Sequence, residues 1–408
     1  MLAIERLTLT DFRNYAHLVW SPARSITVLT GPNGSGKTNL LEALSLLVPG
    51  RGLRAARLVD LPRREAKPDQ ATLDAAPTAA TMAATSPSWA VAARLSRDGL
   101  PFEIGTGSAP DGGARRVFRL DGQPARNRSE VAERLAAVWL TPQMDRLFGE
   151  GTSGRRRFLD RLAMALHPEH AGELAAHDEA LAGRNRLLQA ARPDPAWLDS
   201  IEHSLARHAV AVTAARASLV GQMNRLARTR DESQRSFRPV RLSLECRIAS
   251  RLAEQPALAV EDWLRDGWRA SRTADAANGA TAFGAHRADL ALSDWRSGLP
   301  AAAGSTGQQK AMLIGLVLAH AVLVGTQRGE APLLLLDEPL VHLDQAARAQ
   351  LFAELLSLSG PVLLSGTDEA PFAPLAGRAE TLRVSEGGLQ PDDGFREDKA
   401  GSAEGGAV

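Results

Sequence analysis

One cysteine, Cys246, carries all the thiol chemistry of this 408-residue chain. A single thiol excludes an internal disulfide and any paired-cysteine zinc device. Aromatic residues make up only 4% of the chain, and tyrosine occurs once, as Tyr15. With no run of interleaved aromatic and basic residues, a base-stacking surface for single strands is excluded. No helix-turn-helix or zinc-finger pattern is visible. Lysine is scarce: of 48 basic residues only Lys37, Lys67, Lys310 and Lys399 are not arginine. A large excess of one charge is also missing. The formal net charge of +1 excludes a coat of positive charge and leaves room for one basic face. No segment reaches 18 uninterrupted apolar residues, so no membrane span is expected. Met1 to Arg6 lacks a basic stretch followed by an apolar core, so no signal peptide is expected. The expectation is a reduced, cytoplasmic chain of more than one domain, with 44% hydrophobic residues to build a large core.

What is present begins at Gly31-Pro32-Asn33-Gly34-Ser35-Gly36-Lys37-Thr38. It follows the apolar stretch Ile26-Thr27-Val28-Leu29 and opens a helical one from Asn39 to Val48. A strand, a glycine loop and a helix are the context of a phosphate-binding loop. Glycines let backbone N–H groups turn inward onto phosphate oxygens, and the helix dipole points to the same place. Lys37 can reach the β- and γ-phosphates, and the Thr38 hydroxyl can ligate Mg²⁺. Asn39 is counted with the loop in the nucleotide-binding set.

Far downstream, four leucines, Leu333 to Leu336, precede Asp337-Glu338-Pro339. Such a run reads as a strand buried on both faces. Asp337 at its end is the expected Mg²⁺ residue with Thr38, and Glu338 the expected general base for an attacking water. Between the two motifs, Ser305-Thr306-Gly307-Gln308-Gln309-Lys310 leads into the helical run Ala311 to Val324. Read locally, Ser305 is a helix N-cap. Its place a helix length before the acidic strand resembles the signature motif of ABC-type ATPases. The resemblance implies that Ser305, Gly307 and Gln308 complete the nucleotide site of an opposite subunit. Val341-His342-Leu343-Asp344 resembles the D-loop of the same family. Val362 to Asp368, with Thr367 near its end, resembles the segment that senses the γ-phosphate. Pro142-Gln143 resembles a Q-loop by position, which implies a nucleotide-site role for Gln143.

Residues 39–304 separate loop and signature. No long heptad arms occur there. Helical stretches are expected at Ser153–Leu166, Glu169–Ala191 and Trp197–Thr229, broken at Pro168 and at Pro193-Asp194-Pro195. Leu198, Ile201, Leu205, Ala209, Val212 and Leu219 form a helical stripe, read as core.

Several segments in this order resemble the RecF family. Phe12-Arg13-Asn14-Tyr15 resembles its F-R-N-Y opening. Gly154-Arg155-Arg156-Arg157-Phe158-Leu159-Asp160, after Thr141-Pro142-Gln143-Met144-Asp145, resembles its R-R-x-F-L-D segment. Arg184-Asn185-Arg186-Leu187-Leu188 resembles R-N-x-L-L, and Gly284-Ala285-His286-Arg287-Ala288-Asp289-Leu290 resembles G-P-H-R-D-D-L. Ala285 and Ala288 replace a Pro and an Asp of that block, and Glu338 and His342 also depart from the family's usual residues. The resemblance implies an α/β ABC-type ATPase head with an inserted, mainly helical lobe. It implies ATP and Mg²⁺ as cofactors, Arg13 and Asn14 in the nucleotide site, and an ATP-dependent homodimer. It also implies double-stranded DNA at gap junctions and RecR- and RecO-type mediators as partners, in recombinational repair.

The expected organisation is 1–144 and 279–389 for the ATPase lobe, 145–278 for the helical lobe, a flexible insertion at 65–88 and a disordered tail at 390–408. Arginine clusters supply candidate backbone contacts to duplex DNA, with Arg51, Arg54, Arg115 and Arg116 foremost. Arg155 to Arg157 form a further cluster whose role can equally be structural. Two rival readings are a transport-type ABC ATPase subunit and a nucleotide-switched scaffold with negligible turnover.

Overall fold

The computed structural model describes residues 1–63, 88–109, 115–149, 151–232, 237–385 and 387–391. The expected insertion, apart from Ser88, and most of the expected tail lie outside these residues.

The first sheet is antiparallel, in the order β2-β1-β4-β5-β6-β7. Its strands are β1 (Leu2–Phe12), β2 (Tyr15–Trp20), β4 (Ala90–Arg97), β5 (Leu100–Ser108), β6 (Arg116–Leu120) and β7 (Gln123–Pro124). One face is buried: Val91, Ala93 and Leu95 of β4 point inward while Ala90, Ala92 and Arg94 are exposed, the alternation of a one-sided sheet. In β1 the register shifts between Ile4 and Arg6, a bulge that puts both Glu5 and Arg6 outside.

The second sheet has the order β14-β13-β3-β12-β11-β8. Its strands are β3 (Ile26–Thr30), β8 (Ala137–Leu140), β11 (Leu333–Leu336), β12 (Val362–Ser365), β13 (Glu380–Ser385) and β14 (Gly388–Pro391). All its pairings are parallel except β13 with β14. Every residue of β3, β8, β11 and β12 is buried, which is why these strands read as continuous apolar runs. Gln390 and Pro391, expected in the tail, belong to β14 and pair with Arg383 and Leu382.

Two apolar layers sandwich this sheet. Leu29, Leu335 and Leu363 share a core with α1 (Lys37–Ser45) and the first sheet. Val28, Leu334, Leu336 and Leu364 share another with α8 (Thr306–Arg328), α9 (Gln345–Ser357) and α3 (Thr152–Leu166). A short α2 (Arg128–Arg134) precedes β8. Among the described residues α8 alone is long and apolar enough to cross a membrane, and 72% of its most apolar window is buried as core.

The inserted helices are α4 (His170–Leu188), α5 (Pro195–Glu232), α6 (Arg247–Leu252) and α7 (Ala257–Asn278). They enclose a third core around Leu205, Ala209, Val212, Leu264 and Trp268. Gly183 lets α4 approach α5: a Cβ there would lie 2.7 Å from Ile201 Cδ1. The region is not wholly helical. β9 (Val240–Glu245) pairs antiparallel with β10 (Asp289–Asp294), and β10 lies beyond the expected end of the helical segment. The pairing fastens the insert to the chain that leads into α8.

The family-like segments are clamps in this architecture. Arg184, fully buried, donates to Glu202 (2.9 Å), Asp275 (2.8 Å), Thr281 (2.7 Å) and the Trp268 carbonyl (2.9 Å). Arg216 donates to both oxygens of Asp160 (2.7 and 2.8 Å) and to the Ala285 carbonyl (2.7 Å). Arg155 makes a two-point contact with Asp289 (2.8 and 2.7 Å), and Arg156 donates to the Ala288 carbonyl (2.9 Å). Ala285 and Ala288 serve through their carbonyls, so those contacts need no particular side chain there.

Candidate nucleotide site

β3, α1, β11 and β12 bring the separated motifs to one end of the second sheet. Gly31, Gly34 and Gly36 have φ of 131°, 84° and 119°, a region that costs other residues strain. A Cβ at Gly36 would lie 2.5 Å from Asn14 Nδ2 and 2.9 Å from Tyr15 Oη. The Gly31 N–H donates to the Thr367 carbonyl at 3.3 Å, closing the loop onto the end of β12. Ser35 Oγ is buried without a hydrogen-bond partner. An orphaned hydroxyl inside a glycine cradle is an observation that fits a phosphate group.

Lys37 is 5% exposed, and its ammonium is folded back on the loop, donating to the carbonyls of Gly31 (2.6 Å) and Pro32 (2.9 Å). Burial lowers its pKa, and the charges of Glu338, Asp337 and Asp368 partly oppose that. Thr38 Oγ1 donates to Asp337 Oδ1 at 3.0 Å, joining residues 299 positions apart. Ser365 Oγ donates to the same oxygen at 2.6 Å and accepts from the Glu338 N–H at 3.0 Å. Glu338 itself has φ of 49°. Hydroxyl and carboxylate oxygens side by side suit a hard divalent cation, so Thr38 and Asp337 are the residues that would hold Mg²⁺.

Other expected residues stand elsewhere. The Arg13 guanidinium is engaged by Glu42 of α1 (2.8 and 2.7 Å) and by the Asp60 carbonyl (2.6 Å). Asn14 donates to the Ser35 carbonyl (3.0 Å) and accepts from Asn39 (2.7 Å), and Tyr15 Oη donates to the Gly36 carbonyl (3.1 Å). Arg13 and Asn14, expected in the nucleotide set, thus brace the loop and its helix from behind. Gln143 is exposed in a 3-10 turn after β8 and makes no hydrogen bond among the described residues. Thr367, expected as the sensor, donates its hydroxyl to Asp368 at 2.9 Å. Ser365 and Asp368 join the site although no sequence motif marks either one by itself. The sequence signal for them is the polar end of the β12 run, which begins at Ser365.

The signature segment is an N-cap in this single chain. Ser305 Oγ accepts the Gln308 N–H (3.3 Å), and Gln308 Oε1 accepts the Ser305 N–H (2.9 Å), a reciprocal capping box. No hydrogen bond links Ser305 or Gln308 to Gly31–Thr38 among the described residues. Gly307 packs on the D-loop-like turn instead, where a Cβ would meet the His342 carbonyl at 3.0 Å. His342 has φ of 67°, and Asp344 caps α9 by accepting the Ala347 N–H at 2.8 Å.

The candidate DNA arginines divide. Arg116 donates to the carbonyls of Gly50 (2.6 Å), Leu46 (2.6 Å) and Val48 (2.8 Å) and to Thr106 Oγ1 (2.8 Å). It ties off the end of α1, and burial pulls its pKa down to about 9. Its expected role as a phosphate contact gives way to this one. Arg51, Arg54 and Arg115 are all exposed, and Arg54 donates to Asn39 at 2.7 Å.

Residues 3–361 match the family described as RecF/RecN/SMC N terminal domain. The DNA replication and repair protein RecF of Rhizobium rhizogenes is 42% identical over 388 residues, covering 95% of this chain and 98% of that one. The chain belongs to the RecF family. RecF of Agrobacterium fabrum is likewise 42% identical, over 395 residues. A solved structure of the recombination mediator protein RecF with ATP, in the RecFOR pathway, superposes with a TM-score of 0.76 at 19% identity, covering 96% of this chain and 99% of that one. The fold is that of an ABC-type ATPase head.

Proposed function

We propose that this protein is an ATP-dependent, dimerising DNA-binding protein of recombinational repair. It binds double-stranded DNA beside single-strand gaps in the cytoplasm and works with RecR- and RecO-type mediators to place recombinase on the single strand. The observation that carries this reading is the Thr38–Asp337 contact, which joins the phosphate loop to an acidic strand end in a chain of the RecF family.

Lys37 exchanges two backbone carbonyls for phosphate oxygens when ATP enters, a gain in charge-assisted bonding. Thr38 and Asp337 would hold Mg²⁺, which would supply neutralisation of phosphate charge. Ser365 holds the Asp337 carboxylate and, through the Glu338 N–H, the backbone of the general base. A second chain brings Ser305, Gly307 and Gln308 to the γ-phosphate, so ATP holds the dimer and slow, DNA-stimulated hydrolysis releases it.

Light scattering with ATP and with a gapped duplex tests this directly: mass should double with ATP and fall after hydrolysis. Ser305→Arg should bind ATP as a monomer and fail to dimerise, because a bulky cation replaces a small cap at the facing surface. Dimerisation of that variant at wild-type ATP concentration would refute the in-trans role. Single-turnover hydrolysis with and without duplex separates an active ATPase from a scaffold that merely holds nucleotide.

A further inference from the structure

A cavity of about 510 Å³ lies at the seam between the nucleotide-binding layers and the inserted helices. It is lined by residues 48–55 after α1, by β8 and its turn, and by α3 and the start of α4. The size lies within the range of about 300–1,000 Å³ for ligand sites. Trp139, Phe158, Leu147 and Met164 give it an apolar floor. None of the residues placed in the phosphate loop or at Asp337 and Glu338 lines it.

Its charge is one-sided. Arg51 and Arg157 are exposed at the cavity, and Arg161 stands over the Trp139 and Phe158 rings, 5.0 and 4.9 Å from their centroids. Arg161 has no carboxylate partner among the described residues; its hydrogen bond goes to Met144 Sδ at 3.3 Å. Packing around its guanidinium pulls the pKa down to about 9. Among the described residues the only acid in the lining is Asp160, whose oxygens are taken by Arg216 and His170.

We propose that this seam cavity is the docking site for an acidic peptide segment of a partner protein, with an aliphatic or aromatic side chain inserted onto Trp139 and Phe158 and carboxylates paired with Arg51, Arg157 and Arg161. A duplex backbone offers no apolar group for the floor, whereas such a segment supplies both chemistries. Arg51 follows α1, while Arg157 and Arg161 lie four residues apart on α3, so the cations are spread for several carboxylates along a chain. The inference deepens the partner side of the proposed function and does not depend on ATP hydrolysis.

The test uses the full chain and a fluorescein-labelled octapeptide, Asp-Asp-Glu-Leu-Phe-Asp-Glu-Asp, read by anisotropy. A second peptide replaces its acids with Asn and Gln. The acidic peptide should bind, and the amide peptide about tenfold or more weakly. Arg161→Gln, which keeps hydrogen bonding and loses charge, should weaken the acidic peptide to a similar extent. Ala171→Trp should abolish binding by filling the cavity from α4. Thermal denaturation and fluorescent-ATP binding, measured on the same samples, should match the parent chain. Equal binding of both peptides, no binding at about 1 mM, or wild-type binding by Ala171→Trp overturns the proposal. So does a loss of labelled 20-base-pair duplex binding in Ala171→Trp that equals the loss of peptide, since the cavity would then serve nucleic acid. Failure of ATP binding with intact peptide binding would instead count against the nucleotide reading alone.

Discussion

Lys37 and Arg184 are both buried cations, and the two regions hold them in opposite ways. Arg184 in the helical insert meets two carboxylates, a hydroxyl and a carbonyl. Each of its three nitrogens is engaged, its charge is neutralised within the fold, and it locks α4 to α5 and α7. Lys37 meets only two backbone carbonyls, and no carboxylate lies within ion-pair distance of it among the described residues. Its charge is left for something else. Arg184 is used as a fastener, whereas Lys37 Nζ keeps a donor beyond its two carbonyls and the neighbouring Ser35 Oγ has no partner. What separates these two cations is a carboxylate partner: Arg184 has two and Lys37 has none among the described residues.

The contrast can be broken first at the clamp. Arg184→Met leaves Asp275, exposed by only 1%, without its ion-pair partner inside the insert, while Glu202 keeps Arg272. The expected loss is about 3–5 kcal/mol of stability, with little change in ATP affinity per folded molecule; chemical denaturation followed by circular dichroism measures it. An unchanged midpoint would mean that the network is not a fastener. At the nucleotide site the expected pattern reverses. Glu338→Gln should slow single-turnover hydrolysis about 100-fold or more while ATP still binds and the denaturation midpoint stays put. Lys37→Ala should weaken ATP binding by about 2–4 kcal/mol, read by fluorescent-nucleotide titration, again with the fold retained.

The smallest effect concerns acid. Burial lowers the His320 pKa from 6.5 to about 3, while its bond to the Leu162 carbonyl at 3.0 Å pulls the other way. A depressed folded pKa means that stability is full above pH 6.5 and is lost as pH falls toward 3. At pH 5 that loss is about 2 kcal/mol. His286, lowered to about 4 by burial, acts in the same direction over pH 6.5 to 4. In His320→Gln the difference in stability between pH 7 and pH 5 should shrink by about 2 kcal/mol; an unchanged difference would mean that His320 is protonated inside the fold.

Much of this was legible in the sequence where local pattern decides structure. The stretches expected at Ser153–Leu166 and Trp197–Thr229 appear as Thr152–Leu166 and Pro195–Glu232, because apolar periodicity and prolines fix helices locally. The four leucines before Asp337 are the buried parallel strand they resembled. What escaped depends on partners distant in sequence. Arg116 looks like any exposed arginine until α1 is seen to end beneath it. Arg13 is placed in the nucleotide site by resemblance until Glu42 is seen beside it. The alternating Val240–Glu245 gives no hint that its partner begins at Asp289.

The place of β3 has a consequence for synthesis. It lies between β12 and β13, paired with Val362–Ser365 on one side and Glu380–Arg383 on the other. A nascent chain therefore carries its phosphate loop through most of translation with neither neighbouring strand available. The loop also lacks Asp337 and Ser365 until they leave the ribosome. Ribosomes that stall or terminate before β12 release chains that contain the glycine loop without the strand beside it or the Ser365 that holds Asp337. Only a chain translated through β13 can pair β3 on both sides, so the glycine loop gains its full surroundings near the end of synthesis.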